Sequence, residues 1–119
     1  MATVFRTCAM FDESLKKHSG AVLKVFEDFT KTKSANAMVP FGSKDRPFIG
    51  TGPFGGIKPR VIHAGMTRDI SLLYSVSGQN PHVINLYGFF THEESGTGTP
   101  AKTSTQRALA QRISSQLMK

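Results

Sequence analysis

The chain has 119 residues, 39% of them hydrophobic, and a formal net charge of +7 from 15 lysines and arginines against 8 acids. That length suits one domain with its own core, and a hydrophobic content that includes nine phenylalanines argues against an intrinsically disordered chain. No run of about 18 apolar residues and no basic-then-apolar N-terminus occur, so neither a membrane span nor a secretory signal is read, and a cytoplasmic location is the default.

The elements follow in order. Residues 3–11, TVFRTCAMF, have strand composition, and Asp12 is placed to cap a helix behind them. Cys8, the single cysteine, lies in that apolar run and reads as a small buried hydrophobe. From Asp12 to about Lys33, Leu15, Val22, Phe26 and Phe29 recur at helical spacing, which predicts an amphipathic helix, or a pair of helices broken at Gly20. His18 reads as a solvated residue of that helix. Residues 34–59 carry Pro40, Pro47, Pro53 and Pro59 among five glycines, too many breakers for a long helix or a central strand. Phe41, Phe48 and Phe54 are the natural anchors of this loop. The GTGPFGG within it lacks the lysine and hydroxyl residue that end a phosphate loop.

Three strands are predicted next, in RVIHAGM (60–66), DISLLYSVS (69–77) and HVINLYGFF (82–90). In the second, Ile70, Leu72, Tyr74 and Val76 alternate with Ser71 and Ser75, as in a half-buried strand. GQNP, 78–81, is a turn, so the three form an antiparallel meander. STQRALAQRISSQLMK then spaces Leu109, Ile113 and Leu117 as a terminal helix. The fold class is α+β: an antiparallel sheet of about four strands, an N-terminal amphipathic helix or helix pair, and a C-terminal helix.

The charge is unevenly placed. Between Thr30 and Arg68, Lys31, Lys33, Lys44, Arg46, Lys58, Arg60 and Arg68 face the single acid Asp45, and after Glu94 come Lys102, Arg107, Arg112 and Lys119 with no acid. Such an excess favours phosphate-rich partners. Threading the meander brings His63, Asp69 and His92 to one end of the sheet, beside Lys58, Arg60 and Arg68. Two imidazoles and a carboxylate suit phosphodiester cleavage: one group takes the proton of a ribose 2′-hydroxyl, and another protonates the departing 5′ oxygen. A guanidinium steadies the charge that builds on phosphorus. Taken singly, each of the three is ordinary: a strand histidine, a turn acid, a solvated loop residue. Metal binding is the less favoured use of them, because no HxH, HExxH or paired-cysteine spacing occurs. His82 belongs to the other end of the hairpin, and Glu93 and Glu94 read as solvated.

The order of KDRPF, GGIKPRVIHAG, RDISLLYSV and NLYGFFTHEE, roughly residues 44–94, resembles the RelE superfamily of toxin–antitoxin toxins, in particular its YafQ-like mRNA-cleaving branch. The resemblance implies a single RelE/ParE-like domain over 1–119, with a C-terminal extension from about residue 95. It implies a metal-independent endoribonuclease, with no cofactor, that acts on RNA, often ribosome-bound mRNA, and is neutralised by a small antitoxin protein. Carried over by position, His63, Asp69 and His92 are the catalytic set, with His92 as general acid. Arg46, Lys58, Arg60 and Arg68 are the phosphate-binding set. Arg46 stands where members with D-H-P-L carry a further histidine. That replacement keeps open a non-catalytic member of the fold, comparable to toxins that inhibit DNA gyrase. A third reading is a protein that binds nucleic acid without cutting, with Tyr87 and Phe89 on one strand face stacking bases.

Overall fold

The computed structural model describes residues 3–42, 45–47, 60–63, 70–79, 81–96 and 100–119, with positions 46, 47 and 63 described by their backbone. Along the chain run β1 (Val4–Arg6), α1 (Ala9–Ala35), β2 (Arg46–Pro47), β3 (Arg60–His63), β4 (Ile70–Ser77), β5 (Val83–Thr91), α2 (His92–Ser95) and α3 (Thr103–Ser114). The strands form one sheet in the order β1-β5-β4-β3-β2. The expected meander of β3, β4 and β5 is antiparallel, whereas β1 joins the far edge of β5 in parallel, so the sheet is mixed.

The N-terminal strand is shorter than its composition implies. β1 stops at Arg6 because its partner register runs only from Val83 to Asn85, and α1 begins at Ala9. Asp12 is therefore not the cap; it sits in the first turn, where a carboxylate is favoured by the helix dipole. Cys8 is buried, its thiol pointing at the carbonyls of Leu86 and Tyr87 (3.6 and 3.8 Å). α1 then runs unbroken through Gly20, whose interior position costs about 1 kcal/mol against alanine. Packing of its apolar stripe on the sheet offsets that cost. Phe11, Phe26 and Phe89 form a triangle with ring centroids 5.5–5.6 Å apart, and Phe29 meets Phe41 and Tyr74 edge-on at 5.6 and 5.1 Å. Such ring pairs each add about 0.5–1.5 kcal/mol beyond their buried area. Phe41 thus serves as the anchor expected of it, while Phe48 and Phe54 lie outside the described residues.

β4 is not half-buried. Ser71 and Ser75 are as enclosed as Leu72 and Tyr74, because the strand is central and its second face is covered too. The hydroxyls are accommodated by pairing: Ser75 shares a hydrogen bond with the Tyr87 hydroxyl (2.7 Å), and Asn85 donates to Ser75 and Ser77.

α3 adds Leu109 and Ile113 to the same core. It ends at Ser114, one turn before Leu117, which is 84% exposed and so not the core residue its spacing suggested. The chain beyond α3 returns to the start of the fold, where Thr7 and Lys119 exchange two backbone hydrogen bonds (3.2 and 2.8 Å). Among the described residues no helix is long and apolar enough to cross a membrane.

Candidate active site at one end of the sheet

Strand register sets the site's frame. His63 pairs with Ser71, and Ser71 in turn pairs with Phe90, while Ile70 pairs with Thr91. The backbone at position 63 and the end of β5 therefore lie at the same end of the sheet, two strand spacings or about 10 Å apart. His92 follows Thr91 directly as the first residue of α2 and is half-buried. Asp69, the third member of the expected set, lies outside the described residues, as do Lys58 and Arg68; Arg46 pairs by its backbone with Val61.

α2 is a single turn, too short to persist on propensity alone. It is held by a reciprocal cap. The Thr91 hydroxyl accepts from the Glu94 amide at 3.2 Å, and the Glu94 carboxylate accepts from the Thr91 amide at 2.9 Å. Glu94 also takes a hydrogen bond from Lys17 of α1 at 2.9 Å, and its second oxygen lies 3.6 Å from His18 Nε2. Partial burial opposes the charge on Glu94, but the Thr91 amide and Lys17 outweigh it and hold the carboxyl below the ordinary glutamate range. Glu94 is thus an exposed acid, as expected, that also ties α1 to the turn carrying His92. His18, by contrast, is not solvated: its side chain is 12% exposed, and among the described residues its buried Nε2 has no hydrogen-bond partner. Beside this tie runs an open groove of about 380 Å³, lined in part by Glu13, Lys17, Phe90, Glu94 and Arg112.

Gly96 joins α2 to α3. It has φ of 72°, and a Cβ there would come within 2.5 Å of the Lys102 carbonyl oxygen. Its own carbonyl accepts from the Lys102 amide (2.9 Å) and from the Gln106 side chain (2.8 Å), so α3 starts directly on the back of α2.

A second polar cluster lies under the C-terminal half of α1. Asp45, the lone acid of the basic stretch, has a side chain only 1% exposed. It accepts hydrogen bonds from the Tyr74 hydroxyl (2.5 Å), the Phe41 amide (2.8 Å), Lys33 Nζ (3.1 Å) and Arg60 Nε (3.2 Å). Lys33, 2% exposed, also donates to the Val39 carbonyl at 2.7 Å and sits over the Phe29 and Tyr74 rings. Burial would raise the Asp45 carboxyl, but the Tyr74 hydroxyl, the Phe41 amide and Lys33 together lower it. Tyr74 is driven the other way, by burial first and by the Asp45 anion second.

Two expectations are revised here. Arg60, expected among the phosphate ligands, is engaged away from the His63 end: it pairs with Tyr74, three residues back along β3, and its guanidinium, 34% exposed, donates to both the side chain and the main-chain oxygen of Asp45. Tyr87 and Phe89 are not stacking platforms. They are 2% and 1% exposed, and a bulge in β5 sends them to opposite faces, Phe89 against α1 and Tyr87 to Ser75. Gly88 makes the bulge possible: with φ of 151°, a Cβ there would lie 2.9 Å from Ser14 Oγ and the Phe90 ring.

Sequence reasoning passed over Asp45, Lys33 and the tie of Lys17 to Glu94. The capping box Thr91-x-x-Glu94 is the one signal in the string that gives Glu94 a partner. Among the described residues no group of three or more histidine, cysteine or acidic side chains is placed to hold a metal ion. Compared with known proteins, the chain matches no family model, and no curated protein or solved structure is significantly similar to it.

Proposed function

We propose that this chain is a RelE-like toxin of the YafQ type that cleaves RNA without a metal, as one half of a toxin–antitoxin pair. In this reading His92 protonates the departing 5′ oxygen while His63 or Asp69 takes, or positions the group that takes, the proton of the attacking 2′-hydroxyl. Arg46, Lys58 and Arg68 hold the phosphates. What supports it is the register that brings positions 63 and 92 to one end of the sheet, together with the cap that fixes the backbone at His92. Histidine suits both roles because its ordinary pKa, about 6.5, lies near working pH. A small antitoxin is the expected partner, and ribosome-bound mRNA the expected natural substrate.

The test is cleavage of an RNA oligonucleotide with chelator present, alongside the same oligonucleotide made wholly of deoxynucleotides. Cutting of RNA alone fits the 2′-hydroxyl mechanism; cutting of both, or a need for added metal, overturns it. Arg46, in the place of a histidine, favours a second reading as a non-catalytic member of the same fold. Unchanged growth arrest by the His63→Gln, His92→Gln double variant would select it.

A further inference from the structure

α3 buries one stripe and leaves another exposed. Gln106, Leu109, Ala110 and Ile113 are buried, whereas Ser104, Ala108, Gln111 and Ser115, at the opposite helical positions, are exposed. Arg107 follows buried Gln106 and Arg112 precedes buried Ile113, so the two arginines stand on either shoulder of a low ridge of small and amide side chains. Both are exposed, and among the described residues neither takes part in an ion pair. From Ser95 to Lys119 the chain holds four basic residues and no acid. The helix is also not a loose tail, since Gly96 and Gln106 seat it on α2 and the following segment hydrogen-bonds to Thr7.

We infer that the outer face of α3 is a second RNA-contact surface that holds the phosphate backbone of the strand leaving the His92 end of the sheet. Arg107 and Arg112 supply charge-assisted hydrogen bonds to phosphate oxygens, and the low ridge between them lets the strand come close. Contact of this kind reads no sequence. RNA is the occupant because α3 is built directly onto α2, the turn that carries His92; in that respect the inference rests on the nuclease reading.

The experiment measures binding of the full chain to an uncleavable 2′-O-methyl RNA of about 20 nucleotides, by fluorescence anisotropy across a salt series. The variants are Arg107→Gln/Arg112→Gln and, as a control with the same loss of charge, Lys16→Gln/Lys31→Gln on the exposed side of α1. Loss of two single-strand phosphate contacts lowers the slope of log affinity against log salt by about 1.4. The α3 variant is expected to show that fall and the control to keep the wild-type slope, with thermal midpoints alike. An equal fall in both, no fall in the α3 variant, or no binding by the wild type overturns the inference. Because this RNA cannot be cut, the result is separate from cleavage. A fallen slope in a protein that cuts no RNA keeps the surface and discards the nuclease; a cutting enzyme with an unchanged slope does the reverse.

Discussion

The Tyr74 hydroxyl donates to the buried carboxylate of Asp45 at 2.5 Å, joining residues 29 apart in sequence. Asp45 also compensates the buried Lys33 ammonium, so removal of its charge leaves an uncompensated cation in a nearly dry site. Asp45→Asn is expected to cost about 3–5 kcal/mol. Tyr74→Phe, which removes one hydrogen bond to a charged group, is expected to cost about 1.5–3 kcal/mol. Urea unfolding of the two variants checks the order, and Asp45→Asn within about 1 kcal/mol of wild type would show that the cluster is not closed in solution.

Both perturbed carboxyls lie below their ordinary values, so their contributions share a sign. A carboxyl with a depressed folded pKa adds stability that is fully present above its unfolded value, about 3.9 for Asp and 4.3 for Glu, and is lost as pH falls through the folded value. Stability is therefore expected to drop below about pH 4. The urea midpoint of Asp45→Asn should fall less over that acid limb than that of the wild type, and equal slopes would assign the acid sensitivity to other groups.

Gly96→Ala places a methyl against a backbone oxygen at a left-handed position. The neighbour is main chain and cannot swing aside, so a loss of about 1–3 kcal/mol is expected. Hydrogen exchange should rise first in α3, because its leading turn is bonded to Gly96.

On the proposed nuclease reading, His92→Gln lowers single-turnover RNA cleavage by about 10²- to 10⁴-fold, the usual worth of a positioned proton donor. Glu94→Ala, which dissolves the cap and the tie to Lys17, should lower kcat without a matching rise in KM. Glu94→Gln, which keeps the amide contact, should recover most of it. A Glu94→Ala enzyme with wild-type kcat would separate the cap from catalysis.

The helix and the meander were legible because their signal is periodic: Leu15, Val22, Phe26 and Phe29 in α1, and the aliphatic run of β4, carry the pattern in the string itself. The bulge was not, since a strict two-residue period puts Tyr87 and Phe89 on one face, and only the pairing register, Leu73 with Gly88 and Tyr74 with Leu86, reveals the extra residue. Asp45 was illegible for a related reason. A lone acid among seven basic residues looks solvated, and its partners at 33, 60 and 74 become visible only when the chain is folded. At the candidate site the shared end of the sheet was readable from turn lengths, while the tie of Lys17 and His18 to Glu94 spans too much sequence to be read.

The same cluster has a kinetic meaning. Asp45 gathers groups from α1, the loop at Phe41, β3 and β4, so its bonds close only after the helix has docked and the meander has paired. In a transition state that precedes this docking, such contacts are still unformed and have φ near 0. Asp45→Asn should therefore steepen loss of the native state by raising the unfolding rate, with the refolding limb of the chevron nearly unmoved. In that case the one acid in a basic stretch is what sets the lifetime of the folded chain.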